Sequence, residues 1–212
     1  MLSSIKTMFK FVIKEGNIMK NYKLFLLPLL LILLISCKES KRDVSDDQLI
    51  AMRVSASDFM KDLKSILIKQ IQTGGIMQAV SVCSDTAQLL TNNFGVERGI
   101  YIKRVSLKNR NANNFPDDFE KRILSQFELL HQNNELNSDS EFYEIVSEGD
   151  YNYLRYMKPI IVQAECLNCH GGQTDIMPEV KELITQNYPQ DKAIDYKIGN
   201  LRGAVSIKKV VE

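Results

Sequence analysis

Apolar residues recur at steps of three and four through Leu49, Met52, Ala56, Phe59, Leu63 and Ile66, the spacing of one long amphipathic helix. Gly74 and Gly75 end it, and a second stripe through Ile76, Val80, Cys83, Ala87, Leu90 and Phe94 predicts a second helix with Cys83 on its buried face. Gly95 and Gly99 then bracket a change of chemistry: Ile100, Ile102, Val105 and Leu107 stand among β-formers and predict a strand. Residues 110–116 read as loop. Pro116-Asp117-Asp118 opens a third helix carrying Phe119, Ile123, Phe127 and Leu130, since acidic residues suit a helix N-terminus. After a polar stretch over 131–140, the β-rich segments 141–147 and 151–163 flank Glu148-Gly149-Asp150 and predict a hairpin. A short helix over 178–187 and a last strand over 203–211 follow. Two helices, then strands interleaved with short helices, predict an α+β domain around an antiparallel sheet.

The first 37 residues stand outside this pattern. Lys20 and Lys23 precede an apolar run from Leu24 to Ile35, broken only by Pro28 and ending in Leu34-Ile35-Ser36-Cys37. A charged flank, a short apolar core and a small residue before the cleavage point make a secretory signal, too short for a comfortable membrane span. The Leu-Ile-Ser-Cys ending resembles the bacterial lipobox, which makes Cys37 the lipidated N-terminus of the mature protein. Several acyl chains on that residue would give stable attachment to a bacterial membrane, facing the periplasm. Met19 reads as the natural start. The expected organisation is a signal peptide over 1–37, a polar tether over 38–47 and one domain over 48–212, large enough for a real core. The formal net charge of +1, with lysines and glutamates interspersed, gives no footprint for nucleic acid.

Chemistry concentrates at Cys166-Leu167-Asn168-Cys169-His170. Two thiols separated by two residues can each add across a vinyl group of one haem, and the adjacent histidine then falls under the iron as its proximal ligand. A structural zinc site needs four ligands, and the other cysteines, Cys37 and Cys83, each stand alone. A thioredoxin-like dithiol belongs after an early strand of an α/β repeat, not late in a chain of this order. Covalent haem c, one per chain, is therefore the expected cofactor. Export agrees with it, because bacteria attach c-type haem outside the cytoplasm.

His170 leaves one axial position of the iron to be filled or left open. His131 is the only other histidine, at the fraying end of the third helix. Met52, Met60, Met77 and Met157 are further candidates, while Met177 lies too close to His170 to be comfortable. Cys83 has no cysteine left to pair with once the others are assigned. It is either a small buried hydrophobe or a thiolate ligand to Fe(III), and the residues alone leave both open.

The segments Ala79-Val80-Ser81-Val82-Cys83-Ser84, Val105-Ser106-Leu107-Lys108-Asn109-Arg110-Asn111, Asn114-Phe115-Pro116-Asp117-Asp118-Phe119-Glu120, Lys158-Pro159-Ile160, Cys166-Leu167-Asn168-Cys169-His170-Gly171 and Leu201-Arg202-Gly203-Ala204-Val205-Ser206 occur here in the order found in a bacterial haem c domain family. The resemblance covers roughly residues 49–211. It implies a PAS-like fold, found alone or as the extracytoplasmic sensor of histidine kinases and chemoreceptors, and His/Cys ligation of haem c as in a cyanobacterial member. Carried over by motif, Cys83 becomes the distal ligand, His170 the proximal one, and Cys166 and Cys169 the thioether attachments. Arg110, Asn111 and Asn114 become contacts to the pocket or the propionates, although a guanidinium beside asparagine could equally brace the loop. The family commonly has proline where this chain has Ala112, a departure that loosens the turn without removing a polar group.

The resemblance implies a membrane-anchored redox or gas sensor, in which loss of the Cys83 bond shifts the second helix. Thiolate donation should favour Fe(III) and a low reduction potential. With no output domain after the last strand, the signal would pass to a separate redox or signalling protein. The rival is a periplasmic electron-transfer cytochrome. An enzyme is not expected, because a peroxidase needs an open iron and a distal acid–base residue.

Overall fold

The computed structural model describes residues 43–211; the leader, Cys37 and most of the tether lie outside them. Ser45 starts the first helix through a capping box: its Oγ accepts from the Gln48 amide at 3.3 Å, and Gln48 Oε1 accepts from the Ser45 amide at 3.0 Å. Asp46 and Asp47 occupy the first turn, so the end of the span read as tether is already helical.

Helix α1 runs Asp46–Arg98 with one break, at Gly75, where φ is 76° and ψ is −177°. A straight rod rising ~1.5 Å per residue would hold Phe59 and Phe94 ~50 Å apart. Their rings lie 5.3 Å apart, and Arg98 reaches Asp58 at 3.4 Å. The segment therefore doubles back at Gly75 into two antiparallel arms, the two helices that the sequence predicts. Glycine suits the break, because a side chain there would be strained at positive φ.

The remaining elements are β1 (Tyr101–Val105), a 3-10 turn (Ala112–Asn114), α2 (Asp118–Gln132), β2 (Phe142–Glu148), β3 (Tyr151–Ile161), a 3-10 turn (Ala164–Cys166), α3 (Leu167–His170), α4 (Pro178–Asn187) and β4 (Leu201–Val211). The strands form one antiparallel sheet in the order β1-β4-β3-β2. The class is the expected α+β, and the arrangement is consistent with a PAS-like fold. Against expectation, β1 stops at Val105, before Leu107, and β4 begins at Leu201.

Each sheet face buries its own cluster. On one, Met52, Ala56, Phe59 and Phe94 of α1 pack on Ile102, Leu154, Tyr156, Val205 and Ile207. On the other, Ile123, Leu124 and Phe127 of α2 pack on Val105, Met157 and Ala204. Fully burying such a side chain contributes about 1.5–3 kcal/mol. The second arm of α1 joins the first of these clusters at Phe94, while nearer Gly75 it rests Val80 on Ile176, Val180 and Ile184 around α4. Among the described residues, no helix is long and apolar enough to cross a membrane.

Candidate functional site

β3 delivers the chain through buried Val162 into two successive helical turns that carry the cysteine-histidine motif. A helical turn places residues three apart on one face, so Cys166 and Cys169 stand side by side. His170 follows with its ring fixed: Nδ1 lies 2.7 Å from the Ala193 carbonyl. A carbonyl only accepts, so Nδ1 carries the proton and Nε2 keeps the ring's free lone pair. Burial holds this imidazole well below its ordinary pKa, and the positive charges of Arg202 and Arg110 add to the effect. At neutral pH it is the neutral, metal-binding form.

Arg110 braces this turn from the loop after β1. Its Nη2 donates to the Cys169 carbonyl at 2.5 Å and to the Ala193 carbonyl at 3.3 Å, while Nε donates to Asp191 at 3.0 Å. Asp191 in turn accepts from the Ala193 amide at 2.8 Å. The residue that orients His170 is thus held at its carbonyl by Arg110 and at its amide by Asp191.

A cavity of about 620 Å³ opens between the arms of α1, the sheet and the motif, a size common for small-molecule and cofactor sites. Cys83, Cys166, Cys169, His170, Arg110, Asn111 and Asn114, seven residues separated by up to 87 positions, all line it. The three described cysteines are free thiols. Burial pushes the Cys83 thiol up, opposed by Arg104 and Arg110. Burial likewise raises Cys169, against Arg110, and the charges of Cys83 and Cys166 raise it further. The arm and the motif are therefore within electrostatic reach of one another.

The other candidate axial donors separate clearly. Met60 lines the cavity. Met52 and Met157 are core residues on opposite faces of the sheet, and Met77 is exposed. His131 has Nε2 at 2.9 Å from the Gly199 carbonyl and is not part of the cavity wall. Asn111 has local work as well: its Oδ1 caps the 3-10 turn by accepting from the Asn113 amide at 2.9 Å. That cap stabilises the turn at Ala112.

Two lining residues were not singled out as site residues from the sequence: Arg104 and Arg202. Strand alternation places Arg104 on the face of Ile102, and its cross-strand partner Val205 also lines the cavity. Arg202 gets there by an irregularity. Val205 and Ile207 belong to one face and Ala204 to the other, yet Leu201 packs with Ala204, so alternation slips between 201 and 204. Gly203 sits at the slip with φ of 151°, beside a register shift opposite Ile160 and Ile161. Any Cβ at 203 would lie 2.1 Å from the Val105 carbonyl oxygen. Burial lowers both guanidinium pKa values.

A helical hairpin laid over an antiparallel sheet, with thiols and a neutral imidazole facing the cavity between them, defines an α+β pocket domain. The chain belongs to the Tll0287-like family, whose sequence profile matches residues 36–209. Its fold is similar to that in the crystal structure of the cyanobacterial heme-protein Tll0287: 24% identity, 80% of this chain and 98% of that chain covered, TM-score 0.57. A comparison with curated proteins finds no match.

Proposed function

We propose that this chain is an exported, membrane-tethered haem c protein that senses redox state or a diatomic gas. The observation that carries the proposal is the convergence of Cys166, Cys169, His170 and Cys83 on one cavity. A haem supplies four equatorial nitrogens and a redox-active iron, so the protein has to add only anchors and axial donors. Cys166 and Cys169 both line the cavity and would hold the group covalently, each S–H adding across a vinyl C=C to give a thioether with no leaving group. His170 offers Nε2 in the neutral state, its ring held by Ala193. Cys83 would come from the second arm as the other axial donor; burial disfavours its thiolate, Arg104 and Arg110 act against that, and binding to Fe(III) would have to supply the rest. Family membership supports this reading, since the similar solved structure is described as a heme-protein.

Release of Cys83, on reduction or in competition with a diatomic ligand, would uncouple the second arm from the motif. Gly75 gives that arm a pivot, and its packing on α4 passes the movement on. Cys37 would carry the lipid tether, and a separate redox or signalling protein would receive the signal. No catalytic turnover is proposed.

The test is the electronic and EPR spectrum of the matured protein, ferric and ferrous, beside Cys83→Ala. A low-spin thiolate signature that disappears in the variant, and in the native protein on reduction, is the expected result. An unchanged spectrum in Cys83→Ala would return that residue to packing and make Met60 the donor to examine next. Ligation retained on reduction, with fast electron exchange, would favour an electron carrier.

A further inference from the structure

The walls of the cavity carry more positive charge than the fold uses. Among the described residues, six cationic side chains line it, Lys61, Lys64, Arg104, Arg110, Lys158 and Arg202, against one carboxylate, Glu165. Lys64 is paired with Glu165 at 2.5 Å, Arg110 with Asp191 at 3.0 Å, and Lys158 donates to the Ser138 carbonyl at 2.5 Å. Lys61 is exposed to solvent. Among the described residues Arg104 and Arg202, like Lys61 and Lys158, have no carboxylate partner, but unlike those lysines they are guanidinium groups. Arg202 donates one bond, from Nη1 to the Lys108 carbonyl at 3.2 Å, and lies over the Tyr196 ring at 5.3 Å.

Both guanidinium groups are half-buried, and both line the cavity. A buried cation without a counter-charge is costly, so proteins normally pair it. Guanidinium is also the side chain whose planar fork matches a carboxylate with two parallel hydrogen bonds. Two such forks reach one cavity from the adjacent strands β1 and β4, and a haem carries two propionate carboxylates.

We propose that Arg104 and Arg202 bind the haem propionates, while Arg110, already engaged with Asp191, holds the motif turn. The inference rests on the haem c reading above and assigns its anionic edge to the β1/β4 side of the cavity. These two residues would set the depth and rotation of the group as well as its charge balance.

The test uses the matured protein as wild type, Arg104→Gln, Arg202→Gln and the two Arg→Lys variants, studied by resonance Raman spectroscopy and redox titration across pH. The expected result for each glutamine variant is retained thioether attachment and His170 ligation, with shifted propionate bending modes and a lower reduction potential. Loss of a nearby positive charge stabilises the ferric state, which fixes that sign. The glutamine variants should also gain a pH dependence of the potential, as the freed propionates titrate nearer neutrality. Lysine should restore the charge effect but only part of the Raman pattern.

Unchanged propionate modes and potentials in both glutamine variants would overturn the proposal and leave the arginines as packing residues. If those variants fail to mature, the lysine variants and the wild type decide. Wild-type propionate modes that titrate like a free carboxylic acid would overturn it, and modes constant into acid would uphold it. Absence of covalent haem from the wild type would be a different failure, that of the haem c reading itself.

Discussion

Arg155 and the pair Arg104/Arg202 are cations drawn into the same small domain, and their surroundings could hardly differ more. Arg155, 3% exposed on β3, meets Asp117 at 2.7 Å, Glu148 at 2.9 Å and Glu120 at 3.6 Å. Its guanidinium also lies 4.3 Å from the centre of the Phe119 ring. Glu120, 1% exposed, accepts from Ser206 at 2.7 Å and pairs with Lys103 at 2.9 Å. Around Arg155 the chain supplies its own counter-charges and the network ties α2 to the sheet. Among the described residues neither Arg104 nor Arg202 has an ion pair, although the charge of Asp191 acts on Arg202 from a distance. The first arrangement is finished by folding except for Arg155 Nε, which has no partner; on the proposal above, the second would be finished by the propionates.

The largest effect should come from breaking the finished side. Glu120→Ala leaves Arg155 and Lys103 short of a counter-charge and Ser206 without its acceptor. It should destabilise the domain by about 3–5 kcal/mol, the usual result of removing one partner from a buried pair. Urea unfolding measures that loss, while the spectrum of the matured protein below its unfolding transition should stay as in the wild type.

Acid should separate the two regions next. The hydrogen bond from Lys208, with Arg155 adding to it, holds the Glu148 carboxyl below its ordinary pKa. Burial would raise Asp117, but the Glu120 amide and Arg155 outweigh it and the net shift is downward. A carboxyl depressed in the folded state contributes stability above its unfolded pKa and loses it as pH falls through the folded value. Stability should therefore hold near pH 5–7 and decline below about pH 4. Asp117→Asn should flatten that acid limb in a series of thermal melts, and an unchanged pH profile would contradict the role given to it.

The smallest effect should be on the unfinished side. In a Cys166→Ser/Cys169→Ser background, which could not form the proposed thioethers, replacing Arg104 by Gln removes an unpaired charge rather than a bond. Its stability should change by less than about 1 kcal/mol, or rise. A loss of several kcal/mol would show that Arg104 already has a partner in the empty fold and would erase the contrast with Arg155.

The same contrast explains what could be read from residues alone. The helical stripes, the Gly74-Gly75 break, the hairpin at Gly149 and the Cys166–His170 turn are local patterns, and each corresponds to an element of the structure. Convergence of Cys83 with the motif was legible only through resemblance, because the hairpin at Gly75 that folds the arm back is a long-range fact. Arg104 could have been found by alternation, since Ile102 marks its face. Arg202 could not, because the slip at Gly203 reverses the side that simple alternation assigns to it. Arg110 could be read as a pocket contact or as a brace of its loop, and its partner Asp191, 81 residues away, was not legible.

The order of the strands also sets a timetable. β1 takes its place only beside β4, with Tyr101 opposite Lys208, so that edge of the sheet waits for nearly the whole domain to be synthesised. Pairings of such long separation close slowly. Cys166, Cys169 and His170 emerge well before β4 does. The thiols can be reached in a chain whose sheet is still open, and completion of β4 then brings Arg202 and the partner of Arg104 into place together.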